Sequence, residues 1–139
     1  MKILLGSVAP DDSYKVVGYR KNLDDICEDG ECSEINAVEM LDFIEYPNHR
    51  DFILHLVKKL RHDGVLYIGG TDIVNFSLGV FNKSIPLDKA NEIMFGTANT
   101  PVKVGVTCLE EVRKILLTTE LRITKQICEP NFIIGARRP

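Results

Sequence analysis

Short apolar runs separated by turn-forming residues dominate the chain, and their spacing predicts strands alternating with helices. Residues 2–6 predict a first strand ended by glycine, and residues 15–23 predict a second. The longer stretch 34–44 predicts a buried strand running toward a helix start, because a continuous apolar run suits a parallel strand covered on both faces. Residues 65–68 predict the next strand, which closes on the loop 69–72.

Three helices follow from apolar spacing and from end signals. Apolar residues recur at helical spacing after Asn48, which we take as the N-cap, and Gly64 ends this helix in a left-handed conformation. Pro86 opens a short helix that runs to residue 94. The sequence from Thr107 to Glu110 matches a capping box and starts a helix that ends near residue 118.

The remaining segments complete the predicted architecture. Residues 121–128 and 131–136 predict an antiparallel hairpin, and the secondary structure of residues 74–83 is ambiguous. Strands that alternate with helices and end in a hairpin indicate an α/β fold: a shortened Rossmann-like, mostly parallel sheet with helices on its faces. A chain of 139 residues predicts one domain, residues 1–139.

Composition narrows the classes of partner. The 17 basic and 20 acidic side chains give a net charge of −3 without a basic stripe, so we do not expect nucleic-acid binding. The nearest basic cluster, Lys58, Lys59 and Arg61, fits the negative end of the predicted helix. No apolar run approaches the roughly 20 residues of a membrane span, and the N-terminus does not match a signal peptide. We therefore expect a cytoplasmic protein without membrane contact.

The four cysteines are scattered, at positions 27, 32, 108 and 128. Cys27 and Cys32 are spaced more widely than the pairs of zinc ribbons, and no histidine is near them in sequence. We interpret the cysteines as small buried hydrophobic residues and expect neither a metal site nor a disulfide.

Three segments of the chain carry a further signal: EINAVEMLDFI at 34–44, LVKKLRHDGVLYIGGTDI at 56–73, and the tail from Thr107 to Pro139. In this order and spacing they resemble stretches of small class I S-adenosylmethionine (SAM)-dependent methyltransferases. The similarity covers roughly residues 22–139, and the shortened form resembles phage-encoded versions. It implies SAM as the cofactor and, where activity is retained, transfer of its methyl group to an acceptor that the sequence does not identify.

The resemblance also implies candidate cofactor-binding residues. Gly6 and Ser7 occupy the place of the glycine-rich loop after the first strand, where this chain has one glycine; a simple tight turn is the alternative. Asp24 would hold the ribose hydroxyls, with Asp25 near the adenine, unless Asp24 is only a strand-end turn residue. Glu39 would orient the cofactor's amino group or the substrate, or else stabilise the first turn of the next helix. No catalytic base is identified.

The chain departs from the family pattern between Asp24 and Ile35. Ten residues are too few for the helix and third strand usually present there, so we expect a loop. The loss leaves an uncovered edge or face, which predicts a homo-oligomer or a protein partner covering residues 2–26. Two functions stay open: a methyltransferase, with residues 74–106 covering the acceptor, or a catalytically inactive relative acting as an interaction or accessory subunit.

Overall fold

A computed structural model describes residues 1–6, 11–18, 21–128 and 131–139. Within these residues one sheet has the strand order β2-β1-β3-β4-β6-β5. Strands β1 to β4 run parallel, whereas β5 and β6 form an antiparallel hairpin that pairs with β4. This confirms the mostly parallel α/β sheet and the terminal hairpin. The strands are β1 Lys2–Leu5, β2 Tyr14–Val17, β3 Cys32–Ala37, β4 Leu60–Thr71, β5 Arg122–Cys128 and β6 Asn131–Arg137.

Four α-helices and three short 3-10 helices complete the described chain. The 3-10 helices all lie in the connections between β2 and α1, at Leu23–Asp25, Met40–Phe43 and Tyr46–Asn48. No described helix is long and apolar enough to cross a membrane. The α-helices are α1 His49–Lys59, α2 Ile73–Phe81, α3 Leu87–Phe95 and α4 Leu109–Leu117.

The core lies between one face of the sheet and helices α1 and α4. Ile35 of β3 pairs with Ile3 of β1 and Leu66 of β4, so these buried side chains share one face. Leu56 of α1 and Leu116 of α4 are buried in the same cluster. Helices α1 and α4 contact each other as well as the sheet.

Two strands are shorter than the sequence predicted. The second strand ends at Val17 rather than residue 23, and the third ends at Ala37 rather than residue 44. Leu23 is buried within the core from a 3-10 turn, not from the sheet. An apolar run marks burial, and the 34–44 run still buries Met40 and Leu41 after the backbone has left the sheet. Asp24 therefore lies in a turn of the β2–β3 connection and not at the end of β2.

The first helix also ends earlier than predicted. Asn48 is its N-cap as expected, although its side chain makes no capping bond, and Leu60 already belongs to β4. Asp63, with φ 61°, carries the left-handed conformation that we assigned to Gly64. A side chain at Gly64 is instead excluded sterically, because a Cβ there would lie 2.8 Å from the Arg61 carbonyl oxygen.

The capping box at Thr107 is wrong, since α4 begins after Cys108 and its cap comes from elsewhere in the chain. The backbone N–H of Leu109 donates to Oδ2 of Asp72 at 2.8 Å. The other oxygen of Asp72 accepts from the N–H of Asn75 at 2.8 Å and caps α2, which forms within the region that the sequence left unassigned. One buried carboxylate thus fixes the start of two helices.

Candidate functional site

The strand order places a crevice at the carboxyl ends of β1 and β3. The first crossover puts β2 on one side of β1, and the next puts β3 on the other side. Open α/β sheets bind ligands where the strand order reverses in this way. Gly6 directly follows β1 and the exposed Glu39 lies just beyond β3, so both candidates sit at this crevice.

Gly6 has a backbone conformation that favours glycine. Its φ is +147°, and its N–H donates to the carbonyl oxygen of Val17 at 3.1 Å. A Cβ on Gly6 would meet nothing closer than a methyl carbon of Leu4 at 3.9 Å, so conformation and not crowding selects glycine. Ser7, the other candidate of this loop, lies outside the described residues.

A cavity of about 510 Å³ adjoins the β1 side of the crevice. Leu5 at the end of β1 lines it, together with Asp24 from the β2–β3 connection and His55 from α1. Asp25 is exposed and does not line this cavity. The structure therefore brings Asp24 to a cavity beside the switch point but leaves Asp25 outside it.

Asp24 is held by an ion pair with a buried lysine. Nζ of Lys59 lies 2.6 Å from Oδ1 of Asp24 and 3.0 Å from Oδ1 of Asp29, and it donates to the Cys27 carbonyl oxygen at 3.1 Å. The bond from Lys59 lowers the pKa of Asp24, and the same bond raises the pKa of Lys59. Asp24 is therefore ionised at neutral pH, with Oδ2 unpaired among the described residues.

A second cavity, of about 380 Å³, adjoins the β3 side. Glu39, Asp42 and Phe43 form one wall, while α3 and residues 96–103 form the other. The 3-10 turn Met40–Phe43 separates the two cavities, because Met40 lines the first and its neighbours line the second. Most of the cover comes from the 74–106 stretch that the sequence suggested for the acceptor side.

Asp42 ties this wall to β4 and to the cover. Its buried carboxylate accepts from the N–H and the hydroxyl of Thr71 at 2.8 and 2.9 Å, and Nζ of Lys103 lies 3.3 Å away. Lys103 also donates to the Ile93 carbonyl oxygen of α3 at 2.8 Å. Sequence analysis missed Lys103, because no local pattern indicates that it meets an acid so distant in the chain.

The glycine pair of β4 permits this close packing. A Cβ on Gly70 would lie 3.0 Å from Oδ1 of Asp42, and one on Gly69 would lie 2.1 Å from the carbonyl oxygen of Phe132. Residues 69–71 are therefore the last residues of β4, paired with β6, and not the loop that the sequence predicted; their glycines admit β6 and the Asp42 carboxylate. No group of three or more metal-ligating side chains occurs in the part of the chain that the structure describes.

Several solved structures with a similar architecture are methyltransferases. A possible histamine N-methyltransferase from Thermotoga maritima matches with a TM-score of 0.60 and 10% identity, over 99% of this chain and 82% of that one. Magnesium protoporphyrin IX methyltransferase from Synechocystis PCC 6803, with bound S-adenosylhomocysteine (SAH), gives 0.58 and 12%, over 91% and 52%. The chain has the fold of class I SAM-dependent methyltransferases.

This methyltransferase fold is present in a shortened form. The 1,6-didemethyltoxoflavin-N1-methyltransferase of Burkholderia thailandensis, solved with bound 1,6-didemethyltoxoflavin and SAH, matches with a TM-score of 0.57 and 9% identity, over 98% of this chain and 60% of that one. The chain thus spans between half and two thirds of the length of two of these three structures. No protein-family model matches the sequence, and no curated protein matches it significantly.

Proposed function

We propose that the chain binds SAM at the crevice between β1 and β3 and transfers its methyl group to an acceptor in the second cavity. The observation that carries this proposal is the switch point of the sheet, with a cavity on either side of one 3-10 turn. Cavities of a few hundred Å³ with a few convergent polar groups are typical of small-molecule sites. The methyltransferase fold of the chain supports SAM as the ligand.

The described residues fit the cofactor. Asp24 offers a free carboxylate oxygen to a ribose hydroxyl, while its other oxygen is fixed by Lys59. Gly6, directly after β1, would approach the methionine part, whereas Asp25 lies outside the cavity and is given no contact with the cofactor. Glu39, which has no polar partner among the described residues, would hold the amino group of the cofactor through a charge-assisted hydrogen bond.

In this proposal the protein contributes alignment more than chemistry. When bound, SAM would supply a methyl group activated by its sulfonium, and the reaction is an in-line displacement. Glu39 fixes the donor end, and the Asp42–Lys103 pair holds the cover that positions the acceptor and excludes water. We assign no general base, which an acceptor with a proton to lose would need.

Glu39→Gln is expected to weaken SAH binding about 10- to 100-fold, because it removes one charged acceptor from the ligand. The substitution disturbs no described polar contact, so the free energy of unfolding should stay the same. Glu45→Gln is the matched control, since Glu45 is exposed nearby and lines neither cavity. Equal SAH affinities of the two variants, measured by calorimetry, would contradict the placement of Glu39.

The second candidate, a catalytically inactive accessory subunit, is favoured by exposed apolar surface on α2. Val74, Leu78 and Phe81 are 67, 58 and 85% exposed and lie at helical spacing on one stripe. Exposed apolar patches of this kind mark interaction surfaces. The expected partner contact at residues 2–26 would instead involve the edge strand β2, where Val16 is 46% exposed.

We propose that a second copy of the chain covers one of these surfaces. Sedimentation at micromolar concentration should show a dimer, and Phe81→Ser should yield monomers if α2 is the contact. Val16→Ser should do so if the β2 edge is the contact, so the two variants serve as controls for each other. A wild-type chain that sediments as a monomer would contradict self-association and leave a different protein as the partner. A cytoplasmic location and a phage-encoded origin also stay predictions, which rest on the sequence.

A further inference from the structure

The thiols of Cys27 and Cys32 lie side by side within the core. Their Sγ atoms are 3.5 Å apart, and the two residues are 4% and 0% exposed. Cys32 is the first residue of β3, whereas Cys27 belongs to the segment that joins the 3-10 turn Leu23–Asp25 to that strand. A disulfide has a sulfur–sulfur distance of about 2.05 Å, so an approach of about 1.5 Å would close the bond.

We propose that Cys27 and Cys32 form an intrachain disulfide by exchange with a small-molecule disulfide such as oxidised glutathione. The Cys27 thiolate attacks one sulfur of oxidised glutathione, giving a mixed disulfide and releasing one glutathione thiolate. The Cys32 sulfur then attacks Sγ of Cys27 and releases the second. The two cysteine protons pass to the two glutathione thiolates, so the protein pair is oxidised while the glutathione disulfide is reduced to two thiols.

The order of attack follows from the surroundings of the two thiols. Burial, followed by the hydrogen bond to Cys27, raises the pKa of Cys32 to about 12, which suppresses its thiolate in the closed structure. Cys27 lies on a connecting segment that can leave the core more readily than a strand in the middle of a sheet. Cys27 therefore reacts first, and Cys32 resolves the mixed disulfide.

Lys59 controls this opening, because it fastens the same segment from α1. Its Nζ contacts the Cys27 carbonyl oxygen, Asp24 and Asp29 at 3.1, 2.6 and 3.0 Å.

Removing the Asp29 contact should make local opening more frequent. Asp29→Asn should therefore speed oxidation about two- to fivefold. Glu28→Gln is the control, because Glu28 is a neighbouring exposed carboxylate without an ion pair in the described structure, and it should leave the oxidation rate unchanged. Equal oxidation rates for the two variants would overturn the role of Lys59.

Peptide mapping after incubation in glutathione redox buffers tests the disulfide itself. Trypsin releases residues 22–50 as one peptide that holds Cys27 and Cys32 and neither of the other two cysteines. We expect this peptide to become two hydrogen masses lighter. The ratio of the squared glutathione concentration to the glutathione disulfide concentration at which half of the chains are oxidised should be at least about tenfold higher for the folded chain than for the urea-unfolded chain. The reason is that the fold holds the two thiols together.

The opposite result is equally clear. If residues 22–50 keep two alkylatable thiols in the folded chain, in a buffer that oxidises the unfolded chain, the proposal is overturned. Disulfides joining either cysteine to Cys108 or Cys128 would overturn it as well. Cys32→Ser should instead accumulate glutathione on Cys27, and its absence would overturn the order of attack. None of these readouts depends on SAM binding, so they are independent of the proposed function.

Discussion

Asp42→Ala is expected to lower the free energy of unfolding by about 2–4 kcal/mol and to loosen the cover of the second cavity. The carboxylate is 4% exposed and accepts two hydrogen bonds from Thr71. Alanine would leave the Thr71 N–H without a partner at a buried position, which costs more than the lost bond alone. Lys103 would lose its only anion among the described residues, so the cover that it holds through Ile93 would loosen.

Urea denaturation followed by circular dichroism measures this loss. Asp42→Asn is the matched control, because an amide keeps one oxygen for the Thr71 N–H while removing the charge that Lys103 needs. We expect the asparagine variant to be less destabilised than the alanine variant, although its cover should also be loosened. A stability loss below about 1 kcal/mol for Asp42→Ala would show that the carboxylate does not join β4 to the cover.

Asp72→Ala is expected to destabilise the chain by about 2–3 kcal/mol, because it removes the caps of two helices at once. The N–H groups of Asn75 and Leu109 each lose an acceptor at 2.8 Å. Neither helix has another side-chain cap in the described structure. Burial first, and then the Asp72 carboxylate, raise the pKa of Cys128, so the variant should also make that thiol more acidic.

Amide hydrogen exchange separates the two caps. In Asp72→Ala both the Asn75 and Leu109 amides should exchange faster than in the wild type, together with the first turns of α2 and α4. Asp72→Asn retains one side-chain oxygen, so it should protect one of the two amides and recover about half of the lost stability. Unchanged protection of Leu109 in the alanine variant would contradict the cap that spans the two elements.

The sheet could be predicted because its evidence is local. Apolar runs in β1, β3 and β4 place strands, and the terminal hairpin follows from two runs around a turn. The lengths of β2 and β3 could not be predicted, because Leu23 and Met40 are as buried in 3-10 turns as they would be in strands. Hydrophobicity reports burial, and only backbone pairing decides where a strand ends.

The start of α4 and the second cavity could not be predicted, because both form through contacts between residues that are distant in the sequence. Asp72 precedes Asn75 by three positions, which is a local capping signal for α2 that the almost continuous apolar sequence after it obscured. Nothing local indicates that the same carboxylate also caps α4. Glu39 stays a prediction that rests on the resemblance and on its place after a recognisable strand, whereas the partnership of Asp42 with Lys103 exists only after the cover has folded over β3.

Calorimetric titration of SAH into the wild-type chain tests the central claim most directly, because the product analogue requires no acceptor and no turnover. We predict one SAH bound per chain with a micromolar dissociation constant. Such binding would establish a cofactor site and would justify a search for methyl acceptors. The absence of binding heat up to millimolar SAH, with the chain shown to be folded, would contradict the proposal and would leave an accessory subunit as the function to test.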